Sequence, residues 1–291
     1  MITAKTSTRE ITRNELRAIV ALMDDPDTFV QSRVNEQLSL LGEQDVPLLD
    51  EIREEISDTS LRNRLSGLIH KLTFPSFEQE FAELMDLGLD SPGSLERIQL
   101  MLCRLDNPTL RTDLYKRQLD RMAARLEPSL GAGLTSGEKL ETFISFFFKN
   151  EYFKGDTEDY TSPDNSYLHK VLQRRKGIPL SLSMVMLFVA SRLDMPLYGV
   201  NMPIHFLIKY ETESTSTFID PYNGGRIVSL DQCSYFLRKS GIVPKSVHFE
   251  RALETDMLAR TIRNLKISYE KRGCTQRVRE LERLLEYVVA C

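Results

Sequence analysis

The strongest constraint on this chain is a change of period in its apolar residues. From about 14 to 148 they recur three and four apart, as in Leu16, Ile19, Val20, Met23 and then Val30, Val34, Leu38, Leu41, which is the stripe of an amphipathic helix. Beyond Tyr152 the period shortens. Segments 197–201, 205–210 and 217–220, with 226–230 as a fourth, alternate aromatic or β-branched residues with polar ones, as half-buried strands do. Helical spacing returns at 231–239, 255–272 and 276–289. Helices on both sides of one small sheet define an α+β fold.

The stretch 178–193 fits neither period because it is apolar on nearly every face. It is 16 residues long and contains Ser181, Ser183, Ser191 and Arg192, short of the ~20 apolar residues that cross a bilayer. A helix buried inside the sheet domain is expected, with Met184, Leu187, Phe188, Phe206, Ile208, Phe218 and Ile219 in the core and no membrane association. With 291 residues, about two domains are expected at ~150 residues each. The period changes divide the chain into a helical segment 1–75, a mixed domain 76–250 with leading helices, and a helical hairpin 251–291.

The first segment carries two helix pairs that resemble HEAT-type repeats, and the last pair resembles a tetratricopeptide unit. Either could offer a protein-binding face or serve as a cap. Punctuation places other boundaries. Helices are expected at 60–72, 77–87, 95–105 and 110–126. Another is expected from Thr135 of the capping-box pattern Thr135-Ser136-Gly137-Glu138 onward. The basic run Arg174-Arg175-Lys176 closes a helix and is expected to be a solvated end.

Charge and rare residues exclude several functions. A net charge of −4 lacks the basic excess that nucleic-acid binding requires. Cys103, Cys233, Cys274 and Cys291 are scattered without a C-x-x-C spacing, so neither a disulfide framework nor zinc is expected, and a reducing cytoplasm fits. Residues 1–17 have no apolar core, so no secretory or transit signal is expected. His70, His169 and His248 are isolated in sequence, and no metal or cofactor is expected.

One pair of residues carries chemistry. The polar segment 211–214 can close a hairpin that pairs Tyr210 with Thr215, and that register sets His205 opposite Asp220. Cross-strand neighbours of this kind have Cβ atoms roughly 4.5 to 5.5 Å apart, so the carboxylate could orient the imidazole as in a nucleophile-histidine-aspartate triad. A structural histidine satisfied by a neighbouring carboxylate is the commoner meaning of such a pair. Asn223-Gly224-Gly225 is first a turn and second a rim for a cleft.

The blocks Asp164-Asn165-Ser166, Val171-Leu172 through Arg174-Arg175, Gly177-Ile178-Pro179-Leu180-Ser181-Leu182-Ser183, Pro203-Ile204-His205-Phe206-Leu207 and Phe218-Ile219-Asp220-Pro221-Tyr222-Asn223-Gly224-Gly225 closely resemble the SirB-type transglutaminase-like family. The resemblance spans about 95–249. It implies a papain-like core in which a catalytic cysteine opens a buried helix and histidine and aspartate follow on neighbouring strands. His205 and Asp220 match the last two positions, whereas the cysteine column falls on Pro179, which has no nucleophile.

The leading expectation is therefore a cytoplasmic, non-catalytic member that binds a protein or peptide through a cleft containing Asn165, Pro179, Asn223, Gly224 and Gly225, and through its helical flanks. One alternative is a hydrolase or acyltransferase using Ser181 or Ser183 with His205 and Asp220. The other is an adaptor built on the N-terminal helices.

Overall fold

The computed structural model describes residues 11–89, 91–213 and 216–290, which form two compact units. The first comprises the chain to Gln79 together with residues 107–110. It contains α1 (Arg13–Ala21), α2 (Thr28–Leu38), α3 (Val46–Glu55) and the first part of α4 (Thr59–Asp86). Thr12 and Glu15 form a capping box at the start of α1, and Asp27 accepts from Phe29 N–H at the start of α2, satisfying donors that a helix N-terminus leaves free. Leu16, Val20, Val34, Leu49, Ile52, Leu65 and Ile69 form the core of this unit.

α4 differs from the expected two helices because it runs through Pro75. A proline inside a helix costs about 3 kcal/mol. Here Thr73 Oγ1 donates to Ile69 O at 3.1 Å, Ser76 Oγ donates to Thr73 O at 3.2 Å, and Phe74 and Phe77 are buried on either side. Packing and these local bonds hold the helix across the proline.

The second unit holds residues 80–106 and the chain from Arg111 onward. Its leading helices are α5 (Ser94–Leu102), α6 (Thr112–Leu126) and α7 (Ser136–Ser145), the last continuing as a five-residue π turn, Phe146–Asn150. Then come β1 (Lys154–Gly155), α8 (Leu168–Arg174), β2 (Lys176–Gly177) and α9 (Pro179–Arg192). β1 and β2 are a two-residue parallel pair, too short to leave an alternating pattern in the sequence.

A four-stranded antiparallel meander follows in the order β3 (Leu197–Val200), β4 (Leu207–Glu211), β5 (Ser216–Asp220) and β6 (Arg226–Val228). The unit ends with α10 (Leu230–Lys239), α11 (Glu254–Lys271) and α12 (Thr275–Ala290). α9 is the expected buried helix: Met184, Val185 and Val189 are nearly inaccessible, as are Phe206, Ile208 and Ile219 of the sheet side. Phe188 and Phe218 are also buried. Leu187 is only half-buried, because it points off the packed stripe of α9.

The hairpin register differs from the expected one. Tyr210 pairs with Thr217 and Ile208 with Ile219, a shift of two residues, while Thr215 lies outside the described residues. β4 begins at Leu207, so His205 lies in the turn before it. A slip of two preserves the face on which each side chain sits, whereas a slip of one would have reversed it.

The basic run is not a solvated end. Arg174 pairs with Asp156 at 2.8 Å, Arg175 with Glu151 at 2.7 Å and Lys176 with Glu158 at 2.8 Å. Arg175 adopts φ +56 at the C-cap and lies 4.6 Å from the centroid of Phe153. Ion pairs and a cation–π contact thus consume the charge that would otherwise attract an anion.

Candidate functional site

The site is built on the ends of two strands. Asp220 closes β5, where the chain leaves the sheet through a turn with Gly224 at φ +71 and Gly225 at φ +75. Its Oδ1 accepts from the backbone N–H groups of Tyr222 at 3.1 Å and Asn223 at 3.2 Å, and its Oδ2 accepts from Asn223 Nδ2 at 2.7 Å. An aspartate that captures the N–H groups two and three residues on fixes its own turn.

His205 Nε2 stands 3.0 Å from Asp220 Oδ2. The ring N–H is off-axis and makes no aligned hydrogen bond, so the contact is an electrostatic one at close range. Continuing the observed register would set Leu207 across from Asp220, making His205 a diagonal neighbour, which a long side chain can still reach. Its ring also meets Phe236 at a centroid distance of 6.0 Å.

The turn that delivers His205 is strained. Ile204, immediately before it, has φ +59 and is 58% exposed, a conformation that costs a β-branched residue roughly 1–3 kcal/mol. Arg260 of α11 compensates by binding the turn on both sides. Its Nη1 donates to Met202 O at 3.0 Å, His205 O at 3.0 Å and Asn201 Oδ1 at 2.5 Å.

Ser181 and Ser183 are not brought to His205. Ser181 Oγ donates to Asn165 O at 2.5 Å, approaches Ile178 O at 3.2 Å and accepts from Ile178 N–H at 3.1 Å. It stitches the start of α9 to the preceding loop. Ser183 Oγ donates to Pro179 O at 2.7 Å, one turn back along the same helix. Both serines are buried, and neither makes a hydrogen bond to the imidazole.

The expected cleft residues divide in two. Asn165 is fully buried, donates to Asp159 O at 2.7 Å and accepts from Arg174 Nη1 at 3.1 Å, so its amide works inside the fold and lines no surface. Pro179 is also buried. Asn223 and Gly224 are exposed, whereas Gly225 is buried against Phe148 and Ile144. Of the five expected cleft residues, only Asn223 and Gly224 reach the surface.

Sequence spacing gave no hint of a second histidine-aspartate pair, which stands beside the buried Cys103. His169 Nε2 lies 3.1 Å from Asp106 Oδ2, Lys170 Nζ lies 3.3 Å from the same oxygen, and the Cys103 thiol is influenced by the backbone of His169. Burial pushes the Cys103 thiol up to about 12, leaving no thiolate at neutral pH. Burial and then the charge of Asp220 push Cys233 up to about 11. Cys274 is exposed, and Cys291 lies outside the described residues. Among the described residues no group of three or more histidine, cysteine, aspartate or glutamate side chains could hold a metal ion.

Burial raises the Asp220 carboxyl, but His205 and the Asn223 donors outweigh it and hold the group below its ordinary 3.8. Asp106 behaves alike, with burial opposed by His169 and Lys170. Because both folded values lie below the unfolded ones, the unfolded chain binds more protons as acid is added. Their stabilisation is fully present above about pH 4 and is lost as pH falls through the folded values. Urea midpoints measured from about pH 6 to about pH 3 should fall with acid in the wild type and fall less in Asp220→Asn. Equal slopes would show that the Asp220 contacts do not favour its ionised form.

A helix buried against a small antiparallel meander, with histidine and aspartate meeting at the strand ends, is a transglutaminase-like arrangement. The model of the transglutaminase-like superfamily matches residues 113–263, and the chain belongs to that superfamily. It is similar to a UPF0162 protein of Xylella fastidiosa, 30% identical over 176 residues covering 58% of this chain and 63% of the relative. A UPF0162 protein of Pseudomonas aeruginosa is 30% identical over 193 residues, 65% of this chain and 70% of the relative. F-box only protein 21 of Mus musculus is 39% identical over 93 residues, 29% of this chain and 15% of that protein. The chain spans less than two thirds of the length of the Xylella relatives it matches. No solved structure matches. Among the described residues no helix is long and apolar enough to cross a membrane.

Proposed function

We propose that this chain is a non-catalytic transglutaminase-like protein, acting in the cytoplasm, whose cleft at His205 and Asp220 binds a protein or peptide through its amide groups, with the helical flanks adding contact surface. The observation that carries this reading is that, among the described residues, no hydroxyl or thiol is hydrogen-bonded to the imidazole of the histidine-aspartate pair. A serine mechanism needs a hydroxyl within ~2.6–3.2 Å of the imidazole, and the hydroxyls of Ser181 and Ser183 are committed to backbone carbonyls. The buried cysteines are held protonated. What remains is a polar pair beside exposed apolar side chains of Ile204 and Phe236, suited to holding an amide against an apolar neighbour.

Affinity capture from cell extract with wild type and with the His205→Ala, Asp220→Ala double variant tests this. Loss of the captured partner from a folded double variant is expected. Equal recovery would contradict a cleft-centred site and leave the flanking helices as the binding surface.

A further inference from the structure

The cation that braces the His205 turn has no counter-ion among the described residues. Arg260 Nη1 is used by three neutral oxygens, whereas its Nε and Nη2 have no acceptor and no carboxylate pairs with the guanidinium among the described residues. Its position is fixed further by the Phe206 ring, 5.7 Å from Cζ to centroid. A half-buried arginine usually completes its fork with a carboxylate.

Contacts around it form an arc bordering the proposed cleft. Arg260 holds His205 O, His205 meets Asp220, Asp220 accepts from Tyr222 N–H, and Tyr222 packs edge-on to Tyr160 with centroids 5.8 Å apart. Tyr160 is half exposed, and its phenol feels the positive charge of Arg260. Asp220 does not neutralise the arginine, because its oxygens are taken by His205, Tyr222 and Asn223.

We propose that Arg260 is the carboxylate anchor of this cleft: its uncommitted Nε and Nη2 receive the carboxylate of a peptide-like ligand whose amide lies at His205. The inference deepens the binding role proposed above and rests on it for the amide half only. It narrows the ligand class to molecules with a carboxylate next to an amide, as at a peptide C-terminus. No covalent step is involved. Arg260 contributes the one feature that distinguishes an acid from its neutral amide.

Three probes separate the two ideas: N-acetylphenylalanine, its C-terminal amide, and 3-phenylpropanoate, which keeps the carboxylate and lacks the amide. Binding to the full chain is read by calorimetry and by the nitrogen resonance of Arg260 Nε. The acid should bind at least ~tenfold more tightly than its amide, as a charge-assisted fork requires, and both carboxylates should shift the Arg260 resonance. In Arg260→Gln, which keeps a donor for the turn, the acid and amide should bind alike. The wild-type comparison decides the matter even if that variant is poorly folded. Equal binding of acid and amide overturns the carboxylate anchor and leaves the amide-binding cleft standing. Binding of 3-phenylpropanoate with no gain from the amide supports the anchor and contradicts the cleft reading. Absence of binding by either carboxylate overturns the anchor.

Discussion

Gly225→Ala is expected to destabilise the protein by about 3 kcal/mol, combining a left-handed backbone penalty with overpacking. The residue has φ +75, and an added Cβ would lie 2.5 Å from a Phe148 ring carbon and 2.6 Å from Ile144 Cγ2. Its N–H donates to Asp220 O at 2.9 Å, so relief of the clash must move the turn that aims the Asp220 carboxylate. Gly224→Ala is the internal control. Gly224 has φ +71 with open space at the Cβ position, so only the conformational part, about 1 kcal/mol, applies. Thermal unfolding should show the larger loss at Gly225 by roughly 4–8 °C, at about 2–4 °C per kcal/mol for a unit of this size. Equal losses would mean that packing beneath the turn contributes nothing.

Arg192→Met is the other large effect, at about 3–5 kcal/mol, because it strands a buried carboxylate. Arg192 closes α9 and binds Glu96 of α5 through both fork nitrogens, at 2.6 and 2.8 Å, while Nε reaches Asp120 of α6 at 2.7 Å. Glu96 is only 7% exposed. Apolar replacement of both partners, Arg192→Met with Glu96→Leu, should recover most of the loss, since the pair's desolvation offsets much of its attraction. Urea midpoints of the two variants decide this, and a double variant no better than the single would place the cost in lost side-chain packing instead.

The elements carrying the site were legible in the sequence to different degrees. The four strands and α9 follow from alternation and from an unbroken apolar run, because burial on one face or on all faces leaves a local signature. The proximity of His205 and Asp220 also follows, although the register is shifted by two and His205 reaches Asp220 from the turn before β4, not from a paired strand position. α4 crosses Pro75 because buried phenylalanines and flanking hydroxyls override local propensity. Arg260 is 55 residues from the carbonyl it braces, and no spacing rule links an arginine on a late helix to a turn so far back. The same holds for Asp106 and His169, which meet across 63 residues. The pairing of Arg174-Arg175-Lys176 leaves no local signature for a related reason: acidic residues at 151, 156 and 158 become partners only once β1 lies beside β2.

The histidine-aspartate pair supplies an imidazole and a carboxylate where acyl chemistry would need a third group, and the family resemblance sets Pro179, which has no nucleophile, in that group's place. The most direct measurement mixes the protein with N-acetylphenylalanine p-nitrophenyl ester, follows nitrophenol release in the first turnover, and weighs the intact protein afterwards. No burst, an unchanged mass and the same slow release in wild type and His205→Ala are the expected results. A burst approaching one equivalent, abolished by His205→Ala and accompanied by an acyl adduct on a serine or cysteine, would contradict the account.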